Sequence, residues 1–170
     1  MNLMADPPPK LVELWRPNSY DMYLISYLEY AGLETVPARR ALYIKHLERV
    51  IQTCGTGIIK HLKTLVTLLI DYLKDQDEDV VRFGCIRCLK LLLEHGWPRI
   101  TAHSIDLLMC FVHVLATSHD SGNKKLYSES REFVLTLKIL CKGSLDKHLE
   151  CLKSFNNKGV QCMVGYVFEK

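Results

Sequence analysis

A chain of 170 residues, 48% hydrophobic and 24% charged, is long enough for one domain and too apolar to stay disordered over most of its length. Its formal charge of +3 calls for no polyanionic partner unless the cations cluster locally. No uninterrupted apolar run approaches the ~18 residues of a membrane span; the nearest, Leu107 to Ala116, contains His113.

The first residues carry four of the six prolines and no basic stretch followed by an apolar one. Residues 1–18 therefore read as a Pro-rich linker rather than a secretory signal. Asn18 and Ser19 can cap a helix over 19–31 that Gly32 closes, with Tyr20, Tyr23, Leu24, Tyr27 and Leu28 along it. Thr35 and Pro37 open a second helix. In it Tyr43, Leu47, Val50, Ile51 and Cys54 form one apolar stripe, opposite Lys45, Glu48, Arg49 and Gln52. After Gly55 and Gly57 a third helix carries two adjacent stripes. Ile58, Leu62, Leu65, Leu69 and Tyr72 form one, and Ile59, Val66, Ile70 and Leu73 the other, a width suited to neighbours on two sides.

An acidic turn leads to a fourth helix over 79–95, stopped at Gly96. Pro98 suits the first turn of a fifth, which runs to 117 before the polar loop SHDSGN. A sixth begins near Lys125 with Leu126, Phe133, Leu137 and Leu140 on one face, and a short last one carries Leu145, Leu149, Leu152 and Phe155. Residues 156–170 continue no helical pattern and read as a non-repeat tail. No period-two strand precedes that tail, so the class is all-α. Helix pairs open near Ser19, Gly57, Arg99 and Ser144, a period of about 40 residues. That spacing favours a right-handed α-solenoid of about three and a half stacked hairpins over 19–155, with a compact bundle of the same helices as the alternative. Stack ends at the first helix and at 145–155 would then present apolar faces wanting a neighbour.

Asp77, Glu78 and Asp79 stand where carboxylates cap free amides and face the positive end of the fourth helix's dipole. With Asp75 they spell D-Q-D-E-D, which lacks the glycine and distal glutamate of a calcium loop. The seven cysteines (54, 85, 88, 110, 141, 151 and 162) are an odd number, as expected of reduced thiols in the cytosol or nucleus. Cys85 and Cys88 share a stripe with Val81 and Leu92, at i, i+4, i+7 and i+11. Zinc needs four ligands at about 2.0–2.3 Å. His95 lies roughly 10 Å beyond Cys88 along the axis, and no second CxxC exists. Small buried thiols are the simpler reading. His103 and His113 sit about 15 Å apart along one helix. No Ser/His/Asp set falls in a nucleophile elbow, a P-loop or an H-E-x-x-H helix. The expectation is a non-enzyme with no catalytic residue, cofactor or metal.

The stretch LLIDYLKDQDEDVVRFGCIRCLKLLLEHG resembles a HEAT repeat: a helix, an acidic turn, then V-R-x-x-small-x-x-x-L in the second helix. The matching positions are Val81, Arg82, Cys85 and Leu89, with Asp75 or Asp77 as the turn aspartate. The resemblance implies that such Asp and Arg side chains form a structural ladder between successive turns. Together with ARRALYIKHLERVI before it and HGWPRITAHSIDLL after it, the stretch is similar to later repeats of the Tti-type HEAT subunits of the TTT co-chaperone complex. Members of that family are much longer. The resemblance implies a protein-binding scaffold, hetero-oligomeric with other HEAT-repeat subunits. It also implies support of phosphatidylinositol-3-kinase-related kinases in cytoplasm and nucleus. Candidate partner contacts are Trp97 and Arg99, with Arg39 and Arg40; Trp97 can instead wedge between hairpins. The rival reading is a nucleic-acid-binding HEAT-like face built from Arg39, Arg40, Lys60 and Lys63. Glu34 and Glu48 interrupt that patch, and no aromatics interleave it for base stacking.

Overall fold

The computed structural model describes residues 19–75, 78–141 and 143–169, with side chains from Asp21 onward. Residues 1–18 and Asp77 lie outside the described residues, as does the side chain of Tyr20. The described residues form helices and no strand. In chain order these are α1 (Ser19–Leu33), α2 (Pro37–Cys54), α3 (Leu62–Lys74), α4 (Asp79–Gly96), α5 (Ser104–Asp120), α6 (Lys124–Cys141), α7 (Asp146–Leu152) and α8 (Lys158–Glu169). Pro37 occupies the first turn of α2, and Val36 before it is extended, as a residue preceding proline must be. Short 3-10 helices, Gly55–His61 and Arg99–His103, lead into α3 and α5. α5 runs three residues into the expected polar loop, and Asn123 then caps α6 by accepting the Leu126 N–H at 3.1 Å.

The helices pack in two rows. α1 lies on α3 and α3 on α5; α2 lies on α4 and α4 on α6. The rows join where α3 meets α4 and α5 meets α6, and Phe111 stacks on Phe133 at that second junction with centroids 4.2 Å apart. Polar links run between successive members of the second row. Arg87 donates to Glu48 at 3.2 Å, Lys90 to Glu129 at 2.6 Å, and Asn123 to Asp79 at 2.7 Å. The α2–α4 crossing is the closest. A β-carbon on Gly84 would lie 2.3 Å from Cγ2 of Ile44, and the Cys88 thiol reaches the Ile44 carbonyl at 3.7 Å. Ile44 is accordingly buried, whereas Tyr43, expected on the stripe, is only half-buried: α2 is rotated to bring the slimmer residue against Gly84.

Two sequence expectations are corrected here. By length and composition the continuous helical stretch 99–120 is long and apolar enough to cross a membrane. Half of its most apolar window is buried inside the fold, against α3, α6 and α8, so its central position accounts for the apolarity. The second correction concerns 156–170, most of which is a helix rather than a patternless tail. In α8, Val160, Met163, Val164 and Val167 are buried against α5 and α6. Asn157 caps it through the Val160 N–H at 3.2 Å. Gly159 is required at its start, since a β-carbon there would meet His119 at 2.5 Å. Tyr127 donates to the Gly159 carbonyl and Lys138 to that of Val167, both at 2.7 Å.

Candidate protein-binding surface

The two ends of the helix rows differ. At the C-terminal end, Leu145, Leu149 and Leu152 are buried, and α8 turns Gln161, Cys162 and Glu169 to solvent. Its aromatic residues are shielded by cations: Arg131 lies over the Tyr166 ring, and Lys138 and Lys153 lie over Phe168. The open apolar face expected at 145–155 therefore reduces to Phe155. At the N-terminal end no helix among the described residues covers α1 and α2. Leu24, Leu28 and Ala31 of α1 face inward, but Met22, Tyr23, Tyr30 and Leu33 face out, Leu33 with 79% of its surface exposed. Leu42 of α2, 69% exposed, adds to the same end. Contiguous apolar exposure of this kind marks an interaction site more often than an isolated exposed leucine does.

Between α1 and α2 runs a groove of about 500 Å³ lined by Tyr27, Glu34, Arg39, Leu42, Tyr43 and His46. Its floor is held in place. The Tyr27 hydroxyl donates to the Tyr43 carbonyl at 2.6 Å, and the two rings meet edge to face at 5.3 Å, with His46 5.0 Å from Tyr27. Glu34 is committed to the backbone. The Val36 and Thr35 N–H groups donate to its carboxylate, and with Arg39 beside it these hold its acid below the usual carboxylate range. The outward positions of α2 are basic: Arg39, Lys45, His46 and Arg49 are exposed, while Glu48 turns aside to Arg87.

The sequence candidates separate. Arg39 reaches solvent at the groove, loosely paired with Glu34 at 3.8 Å. Arg40, with an 11% exposed side chain, is a structural link: it donates to Asp75 at 2.5 Å and to the Glu34 carbonyl, and lies over the Tyr72 ring. Asp75 is thus met by an arginine of the preceding helix pair and not by Arg82. Val81, Cys85 and Leu89 are buried, and Arg82 is 7% exposed with Nε and Nη2 lacking a hydrogen-bond partner among the described residues. The small residue at the tightest helix contact is Gly84 rather than Cys85. Trp97 keeps 39% of its surface exposed and Arg99 is exposed. The basic set does not converge on one groove: Arg39 lines the α1–α2 groove, Lys60 a cavity beside Asp21, and Lys63 the groove between α1 and α3. Tyr30, Leu33 and Leu42 were not singled out from the sequence, although α1 being apolar on nearly every side was a visible signal for the first two.

Burial pushes the Cys88 and Cys110 thiols up to about 12, and it raises Cys141 against the pull of Ser104 and Ser144. No group of three or more metal-ligating side chains occurs among the described residues. In the cavity of about 320 Å³ beside α1, the buried Asp21 carboxylate is 3.0 Å from His61 Nε2 and 3.2 Å from Lys60 Nζ, tying α1 to the following 3-10 turn. Cys54 borders it from the last turn of α2, at the negative end of that helix's dipole, whereas activated cysteines favour helix N-termini.

Comparison with known proteins now adds to this geometry. Part of the chain is similar to TELO2-interacting protein 2. Identity is 31% to the mouse and human proteins and 30% to the rat protein, in each case over 78 residues. The match covers 45% of this chain and 15% of TELO2-interacting protein 2, so the chain shares a limited stretch of a much longer relative. No family model and no solved structure matches.

Proposed function

We propose that this chain is a non-catalytic, protein-binding scaffold built as a right-handed HEAT-type α-solenoid. In this reading it assembles with other Tel- and Tti-type subunits into a TTT-like co-chaperone that supports phosphatidylinositol-3-kinase-related kinases in cytoplasm and nucleus. The observation that carries it is the 31% identity to TELO2-interacting protein 2 over 78 residues. The two rows of helices support the solenoid, because stacked hairpins place alternate helices in separate layers. Repetition in detail supports it too: Arg40 is the fourth residue of α2 and Arg82 the fourth of α4, and Arg40 reaches the turn between α3 and α4 as a ladder side chain would. Nucleic-acid binding is the weaker reading, because Arg40 and Lys60 are engaged within the fold and Lys63 faces another groove.

The test is direct binding of the purified chain to recombinant TELO2, followed by size-exclusion chromatography with light scattering. Stoichiometric co-elution is expected. Separate elution at micromolar concentrations, with retention of an RNA or DNA duplex instead, would refute the reading.

A further inference from the structure

We propose that the groove between α1 and α2 is a docking site for an acidic amphipathic helix of a partner protein. The inference rests on the scaffold reading above and assigns that scaffold a binding surface and a partner chemistry. Three observations converge on it. First, no helix among the described residues covers the outward faces of α1 and α2, whereas α8 covers the other end of the helix rows. Second, the groove is preformed: Tyr27 is fixed by its hydrogen bond to Tyr43, and Leu42 stands exposed as an apolar lip. A cleft between two helices suits a third helix laying an apolar stripe into it, with anchors at i, i+3, i+4 and i+7. It offers no strand edge for an extended peptide.

Third, the charge along α2 is one-sided, and Glu34, the acid lining the groove, is engaged by the Thr35 and Val36 N–H groups and by Arg39. Arg39, Lys45 and Arg49 face out along α2 with no exposed acid beside them on that helix. A helix with glutamates or aspartates flanking its apolar stripe would neutralise this strip, and a basic one would be repelled. The same strip argues against a second copy of this chain. Two-fold pairing through this face would bring the α2 cations of both copies together, and the outward side of α1 supplies only Glu29 against them.

The experiment uses the full chain and two fluorescently labelled, stapled peptide helices. Both carry leucine at i, i+3, i+4 and i+7; one has glutamate on its flanks and the other lysine. Fluorescence anisotropy is expected to show binding of the glutamate helix at least about tenfold tighter than the lysine helix, with the gap narrowing as salt rises. Leu42→Asp should abolish binding, and Lys45→Glu with Arg49→Glu should weaken it about tenfold. Met109→Asp, at an exposed position on α5, serves as the control and should change nothing. Unchanged far-UV circular dichroism secures the fold of each variant. Equal affinity for both helices, or binding that survives Leu42→Asp, would overturn the inference. So would a chain dimer that this variant converts to monomer.

The same variants tested on TELO2 separate the two readings. TELO2 binding lost only in the groove variants supports both. TELO2 binding that persists in them overturns the docking site and leaves the scaffold. Failure to bind TELO2, with the glutamate helix still captured in the groove, overturns the co-chaperone assignment and leaves the docking site.

Discussion

Gly84→Ala should destabilise the protein, even though it places a better helix former inside a helix. In an exposed helix the change would gain up to about 1 kcal/mol. Here the new methyl would sit 2.3 Å from Cγ2 of Ile44, where ordinary contact begins near 3.4 Å, so the two helices must part by roughly 1 Å. Cγ2 cannot swing aside readily, because a β-branched side chain in a helix has essentially one χ1 rotamer. Overpacking of this kind costs about 1–3 kcal/mol, which leaves a net loss of up to about 2 kcal/mol after the propensity gain. Ile44→Ala alone should cost about 2–5 kcal/mol through the cavity it opens. The double variant should then fall short of the sum by at least about 1 kcal/mol, because the Gly84→Ala methyl enters the vacated space. Equilibrium urea unfolding followed by circular dichroism measures all three. A Gly84→Ala protein at least as stable as the parent, or strict additivity in the double variant, would refute the close α2–α4 contact.

The remaining expectations concern titratable groups. With a thiol-reactive chromophore, Cys151 and Cys162 should react at once and Cys54 more slowly, while Cys85, Cys88, Cys110 and Cys141 should wait for denaturant; fast native-state labelling of Cys88 would contradict its burial. Burial pushes the Tyr72 phenol up to about 12, against the pull of Arg40, and raises Tyr27 as well. The folded chain therefore holds protons that the unfolded chain releases from about pH 10 upward. Stability from these groups should be complete below pH 10 and decline as pH rises toward 12. Denaturation midpoints across that window, with absorbance at 295 nm, will show it; a flat midpoint with all eight tyrosines titrating together near 10 would count against the buried phenols.

Up to about residue 155 the sequence by itself determined where the chain is helical and which face of most helices turns inward. The stripes Leu62–Leu65–Leu69–Tyr72 and Val81–Cys85–Cys88–Leu92 are buried as their spacing requires, since a period of 3.6 residues aligns them on one side whatever they pack against. The wide apolar face of α3 correctly implied neighbours on two sides. The fate of 156–170 was less legible. Its valines and two glycines are weak helix formers, and α8 persists because α5 and α6 bury its apolar face. Only the tertiary structure decided that Gly84 rather than Cys85 lies at the tightest contact, that Arg40 is the arginine Asp75 meets, and that α8 covers one end of the helix rows while Leu33 and Leu42 stay exposed at the other among the described residues. Those outcomes depend on which residues distant in sequence come within a few ångströms of one another. Local periodicity fixes a helix's face, but the partner of that face follows from how all the helices stack.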